Sequence, residues 1–309
     1  MAEMREVFAE TMVQLGEKDP SIMVLEADLM RANGTGAFAK RFPDRSINLG
    51  VAEANMVGVA AGLSAMGKIP FACTFASFAG RRDFDQFFIS ANYARLNVKL
   101  VGTDPGVLAG FNGGTHMPFE DIGLMRTIPR LVVVDPCDGA SLRTLLPQIA
   151  AHKGSVYLRL NRKDTPVTYP DTEEFTLGKA KVIQEGKDIA IFASGAICVP
   201  EAKIALDLLA DDGISAALID VHTIKPIDAE TVITWAKKTT CVLTCENHQV
   251  INGLGSAVAE VLGENCPTKM ARLGIYDEFG QVGEVGWLVK AYHLDAESIA
   301  AKAKRLLGK

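Results

Sequence analysis

Short apolar, β-branched runs alternate with stretches of helical periodicity along the first half of the chain. The runs are Ile22 to Leu25, Ile69 to Phe75, Val98 to Gly102, Leu131 to Val134 and Val156 to Leu160, each with the length and composition of a strand. Helix-length stretches lie between them, at about 53 to 66, 81 to 95 and 138 to 151. That rhythm predicts βαβ units around a mostly parallel sheet. The segment 163–178, KDTPVTYPDTEEFTLG, carries two prolines, several acids and no apolar period, and reads as an exposed connector. Beyond it the rhythm restarts, with strands at Ile189 to Ala193, Ile214 to Ile219 and Cys241 to Cys245. Helices are expected near 198 to 211, 228 to 238 and 254 to 264, and from about Asp295 to the end. The expectation is two α/β domains, each a mostly parallel sheet flanked by helices, over 1–165 and 179–309, with a linker at 166–178.

A length of 309 residues leaves room for two domains that each bury a core. With 48% apolar and 22% charged residues the composition is globular, and no apolar run approaches the roughly 20 residues of a membrane span. The opening MAEMREVFAETMVQLGEKD mixes Glu3, Arg5, Glu6 and Glu10 among apolar positions, unlike an export signal. Six scattered cysteines, with neither CxxC spacing nor paired Cys/His ligands around Cys241 and Cys245, suit reduced thiols in a cytoplasm. A net charge of −5 without a Lys/Arg block lacks the footprint of a nucleic-acid binder. Small molecules and protein partners remain.

Four segments carry candidate chemistry. In NLGVAEANMVGVAAGLSAMG (Asn48 to Gly67) one carboxylate, Glu53, sits among small and apolar residues on nearly every helical face, a pattern for a helix buried all round. Glu53 reads either as a first-turn acid complementing the helix N-terminus or as a buried acid that wants a partner to share its proton, having no Lys or Arg within a helical turn. In PFACTFASFAGRRDFDQFF, Phe84, Phe87 and Phe88 read as core. Phe75 and Phe78, leaving a strand's C-terminal end, read equally as core or as a stacking surface in the crevice where α/β sheets bind ligands. The glycine-rich loop GTDPGVLAGFNGGTHMPFED (Gly102 to Asp121) lets backbone approach a ligand and carries His116. Arg159, near the end of the strand in VYLRLNR, reads as a surface ion pair or as a bidentate clamp on phosphate or carboxylate.

Taken in order and spacing, ADLMRAN (Ala27 to Asn33), GVAEANMVGVAAGL, CTFASFAGR, GGTHMPFED, VHTIKPID (Val221 to Asp228) and ENHQVINGLGSAVAEVL (Glu246 to Leu262) resemble the transketolase family. The resemblance covers the family's pyrimidine-binding and C-terminal domains. The family's diphosphate domain, with its GDG motif, has no counterpart here, which implies a separate N-terminal subunit carrying that motif and the magnesium ion, in an α2β2 assembly around a homodimeric core. By this resemblance the cofactor is thiamine diphosphate. Glu53 would hydrogen-bond N1′ of its aminopyrimidine and support the imino tautomer. A carboxyl in an apolar pocket, with a raised pKa, suits that task. Phe78, with Phe75 behind it, would stack on the pyrimidine, and Asp28 would lie near the cofactor and the subunit contact. His116 would be catalytic and bind the sugar near its carbonyl. Arg159 and Arg5 would hold the acceptor phosphate, and Asp104 and Asn112 belong to the same substrate-binding set.

Two positions depart from the family pattern. Asn112 stands where many transketolases have a donor-binding Asp, and Ala32, beside Arg31, stands where a phosphate-binding Ser is usual. The amide keeps hydrogen bonding but loses the charge, which points to a modified or unusual ketose. The competing enzyme readings are a deoxyxylulose phosphate synthase-like enzyme and a 2-oxoacid dehydrogenase β-type subunit, which would need a 2-oxoacid and a lipoyl carrier. A scaffold or flavodoxin-like nucleotide binder is the reading from another class, and no GxGxxG follows the first strand.

Overall fold

The computed structural model describes residues 3–163 and 165–309; Met1, Ala2 and Asp164, all within the expected first domain, lie outside the described residues. Helix α1 (Met4–Lys18) starts on a capping box between Glu3 and Glu6. Strand β1 (Ile22–Glu26), the short helices α2 (Met30–Asn33) and α3 (Gly36–Arg41), and β2 (Ser46–Asn48) follow. Then come α4 (Glu53–Ala65), β3 (Ile69–Phe75), α5 (Ala76–Arg81), α6 (Phe84–Gln86), a π-helical stretch over Phe87–Tyr93, and β4 (Lys99–Thr103). The glycine-rich loop leads to α7 (Asp121–Arg126), β5 (Val132–Val134), α8 (Gly139–Ala151) and β6 (Val156–Leu160). The second half holds β7 (Lys181–Gln184), β8 (Ile189–Ala193), α9 (Gly195–Asp211), β9 (Ala216–Asp220), β10 (Thr223–Lys225), α10 (Ala229–Lys238), β11 (Cys241–Gln249), α11 (Leu254–Asn265), β12 (Met270–Ile275), α12 (Val285–Ala291) and α13 (Ala296–Leu307).

These strands form two sheets, β10-β5-β6-β4-β3-β1-β2 and β12-β11-β8-β9-β7. In each, all pairings are parallel except that of one edge strand, β10 against β5 and β7 against β9. The expected two mostly parallel α/β domains are therefore present. The strands of both centres are buried along their whole length, as near-continuous runs such as IMVLE and IAIFA require when helices cover both faces.

The structure departs from the sequence reading in four places. The stretch 81–95 is not one helix: it breaks at Arg82 and Asp83, and farther on the Asn92 side chain donates to Phe87 O at 2.7 Å, competing for backbone acceptors where the helix widens to π spacing. The connector is exposed at Pro166, Val167, Pro170 to Thr172, Glu174 and Thr176, as expected, but it is pinned between them by buried Thr165, Thr168, Tyr169 and Phe175, with Tyr169 donating to Asp220 at 3.0 Å. Strand β10, from the second half, crosses to the first sheet, where Thr223 and Lys225 pair with Val134 and Val133. Helix α4, expected to be buried all round, leaves Asn55, Gly58 and Gly62 open, flanked by exposed Val51 and Met66.

Candidate active site

Strands β1, β3, β4 and β6 are parallel neighbours, so their C-terminal ends share one rim. Asp28, Phe75, Asp104 and Arg162 lie on or just past those four ends. The rings of Phe75 and Phe78 stand 5.8 Å apart, and the His116 imidazole meets both nearly edge-on, at 6.0 and 5.2 Å between centroids. His116 also shares a 3.0 Å hydrogen bond through Nδ1 with the Thr115 hydroxyl. Arg82 continues the array. Its guanidinium lies over the Phe78 ring, 4.1 Å from the centroid, and Nη1 donates to Glu53 Oε1 at 2.7 Å. One guanidinium thus touches both the aromatic face and the buried acid, which is 4% exposed in the first turn of α4.

On the other side, the Arg162 guanidinium lies 4.7 Å from the centroid of Phe75 and donates through Nε to Asp104 Oδ2 at 2.6 Å. Asp104 takes a left-handed backbone, as do Gly106 and Gly113, so the glycine-rich loop leaves β4 in a tight reversal that side chains at those two glycines would strain. Asn112 is exposed in that loop. Asp28 is exposed beyond β1, where Asn48 Oδ1 accepts its backbone N–H at 3.0 Å. Arg5 pairs with Glu3 at 2.5 Å beside Gly34 of the early loop, and its side chain stays partly exposed.

Glu53, Phe75, Phe78 and His116 are brought together. Two expectations are corrected. Arg159 does not face the rim: it is 1% exposed, donates to Asp121 at 2.8 and 3.1 Å and to Asp135 at 3.1 Å, and reaches the Asn247 carbonyl at 3.1 Å. With its donors committed to two buried carboxylates it has no fork left for a phosphate. Asp104 lies behind Arg162 rather than open to a sugar, and is 2% exposed. Glu53, read as having no Lys or Arg within a helical turn, meets a cation from farther along the chain, Arg82.

Arg82 and Arg162 are two residues the sequence reading missed. Both stand in segments it singled out, and position relative to the strand separates the two arginines of VYLRLNR: Arg159 lies within β6, Arg162 past its end. Asp83 was missed too. It is fully buried, and neither carboxylate oxygen has a hydrogen-bond partner among the described residues. Burial first, then the Glu53 charge, pushes its carboxyl up to about 8, against the pull of Arg82. Below the early loop Glu26 accepts from Asn33 at 2.9 Å and from Thr35 at 2.5 Å, and burial pushes it up to about 7.

Residues 1–168 match the transketolase pyrimidine-binding domain and 178–299 the transketolase C-terminal domain. The chain belongs to the transketolase family. A 6-deoxy-6-sulfo-D-fructose transketolase subunit from Clostridium sp. (strain MSTE9) is 49% identical over 97% of this chain and 93% of its own length. A putative transketolase C-terminal section from Methanocaldococcus jannaschii is 44% identical over 97% of this chain and 94% of its own. A solved structure described as a split gene transketolase, inactive beta4 tetramer, superposes with a TM-score of 0.93 at 40% identity, over 100% of this chain and 99% of that one. The transketolase-type subunit is thus the frame for the site.

Proposed function

We propose that the chain is the pyrimidine-binding subunit of a thiamine diphosphate-dependent split transketolase, moving a two-carbon ketol unit from a ketose donor to an aldose acceptor together with a diphosphate-binding chain. One observation carries this reading: Arg82 bridges the buried Glu53 carboxylate and the Phe78 face, so an acid and a flat aromatic surface stand side by side at the strand-end rim. That pairing fits an aminopyrimidine, which needs a ring face to lie on and a carboxyl at a ring nitrogen. The sequence carries no GDG motif, so we assign magnesium and diphosphate to a companion chain that supplies it.

When bound, thiamine diphosphate supplies the carbon that carries the ketol unit. Glu53 holds a proton at N1′ of its pyrimidine. Phe78, backed by Phe75, supports the ring, and Asp28 lies toward the subunit contact. His116, fixed against both rings, hydrogen-bonds the sugar near its carbonyl, and Asn112 meets the donor hydroxyl. Arg162 and Arg5 face the substrate's anionic end. The open apolar side of α4, with Val51 and Met66, and the exposed Ile89 and Tyr93 offer surface for a second copy in an α2β2 assembly. The Clostridium relative is named for a sulfonated ketose. With Asn112 and Ala32 in place of the usual Asp and Ser, we infer that the donor is an anionic ketose, sulfonated or phosphorylated. The test mixes the chain with its companion and assays ketol transfer from both donor types. Activity requiring both chains supports the reading, and full activity of this chain alone, shown by mass spectrometry to lack a companion, sinks it.

A further inference from the structure

The second domain reaches into the first at the glycine-rich loop. Strand β11 pairs with β12 in regular register through Cys245 and resumes at Gln249, and the irregularity between them sets Glu246 to His248 off the ladder. Asn247, within that bulge, is 3% exposed. Its Oδ1 accepts the backbone N–H of Val107 at 3.0 Å, and its Nδ2 donates to the carbonyl of Pro105, also at 3.0 Å. The amide therefore straddles Gly106, where an added Cβ would lie 2.2 Å from Asn247 Oδ1.

Neighbouring residues grip the far end of the same loop. Gln249 N–H donates to the Phe119 carbonyl at 2.8 Å, and Gly123 N–H donates to His248 Nε2 at 3.1 Å. Burial holds the His248 imidazole down at about 4, so it is neutral, and Nδ1 donates to Gln249 O at 2.6 Å, leaving Nε2 as the acceptor that Gly123 needs. Between these ends Gly114 packs on Gly280, close enough that a Cβ on Gly114 would fall 2.1 Å from the Gly280 carbonyl. Asn112 and His116 ride on the span so held.

We propose that Asn247 is a positioning residue of the second domain that fixes the backbone at Pro105 and Val107 and so sets where Asn112 and His116 stand against the sugar. This rests on the proposed role of the loop in donor binding. A side-chain amide that satisfies one backbone donor and one backbone acceptor, with a glycine pressed against it, matches that loop geometry and has no substitute among the apolar residues. The second domain then acts as the mould for the substrate loop, while the contacts of Glu53 with Arg82 and of Arg82 with Phe78 are made within the first.

The test is Asn247→Ala in the reconstituted two-chain complex, with three readouts. Donor kcat/KM should fall by about 10- to 100-fold, the cost of a misplaced reacting geometry. Backbone amides over 105–117 should exchange faster with deuterium. Exchange at C2 of bound thiamine diphosphate, which reports on Glu53, should keep its wild-type rate. Wild-type kcat/KM with wild-type loop protection would overturn the proposal, and so would an equal fall in C2 exchange and cofactor affinity, which marks a merely structural role. If the alanine variant does not assemble, Asn247→Asp carries the test, since it keeps the acceptor for Val107 and loses the donor to Pro105. It should loosen the loop partway, and unchanged protection and kcat/KM would count against the idea. Failure of the proposed function is seen separately, in a wild-type complex without ketol transfer, and the loop-exchange arm stands apart from that outcome.

Discussion

Arg82 Nη1 donates to Glu53 Oε1 at 2.7 Å although 29 positions separate the two residues, and the same guanidinium covers the Phe78 ring. The contact fixes the direction of the carboxylate in the first turn of α4 and ties the aromatic turn after β3 to that helix. Glu53→Gln keeps the shape and an oxygen for Arg82 but cannot share a carboxyl proton with a ring nitrogen. Activity of the two-chain complex should fall at least about 100-fold, the lower end of general acid–base contributions. Folding and assembly should survive. Deuterium exchange at cofactor C2 decides the matter: a folded, cofactor-loaded variant exchanging at the wild-type rate removes Glu53 from this role.

Arg159 should behave as a structural residue. Arg159→Met leaves Asp121 and Asp135 facing each other in the interior without their common cation, along with an unanswered carbonyl at Asn247. Breaking such a buried pair costs about 3 to 5 kcal/mol. Thermal denaturation should show a large loss of stability, whereas a stable variant whose only defect is a raised acceptor KM would restore the substrate role that the burial denies.

The contrast between Arg159 and Arg162 shows where the sequence was legible. Strand centres, the lengths of helices such as α4 and α8, and the two-domain alternation follow from local periodicity, and the runs from Ile22 to Leu25 and Ile189 to Ala193 fall within the observed strands. Strand β10 was not legible, because three residues have no period and their pairing with β5 is set by the second domain folding against the first. The buried anchors of the otherwise exposed connector were missed for a related reason: Tyr169 and Phe175 are isolated aromatic residues, and Asp220, which Tyr169 meets, lies outside any local window. At the site, glycines and aromatics flag the loop and turn. Which arginine faces the rim depends on where β6 ends, and which cation meets Glu53 depends on how α5 turns back toward α4.

Asp83 supplies a pH signature. Its carboxyl has an ordinary value near 3.8 in the unfolded chain and about 8 in the fold, so the fold holds it protonated at neutral pH. The sign is that of a raised group: its contribution to stability is complete below about pH 4 and declines as pH rises toward about 8. Asp83→Asn has nothing to titrate there. The difference in melting temperature between Asp83→Asn and wild type should therefore shift steadily in favour of the variant from about pH 5 to about pH 8. A difference that stays flat across that range would mean that water or a partner chain already solvates the carboxylate.

Asn112→Asp adds a carboxylate at an exposed loop position. If the neutral amide reports a changed donor preference, relative kcat/KM among ketose donors should move toward ordinary ketose phosphates. An equal effect on every donor would show that the position shapes the loop and leaves specificity elsewhere.

Arg162 is the second guanidinium beside the aromatic pair, held over Phe75 by Asp104. Asp104 takes up Nε and Nη2, and the side chain keeps 14% of its surface exposed, so Nη1 is left for an anion arriving over the rim. Arg162→Ala should raise KM for the anionic substrate by about 10- to 100-fold, equivalent to losing a charge-assisted hydrogen bond of roughly 1.5 to 3 kcal/mol. Exchange at cofactor C2 should be unaffected, because Glu53 and Arg82 lie on the other flank of Phe78. Arg162→Lys should recover part of the loss by restoring the charge without the planar fork. Sulfonated and phosphorylated donors assayed side by side give the sharper reading: both should weaken when Arg162 is removed, and a neutral ketose should not. If all three donors respond alike, Arg162 serves only to hold Phe75 and Asp104 in place, and the anion site lies with Arg5 or the companion chain.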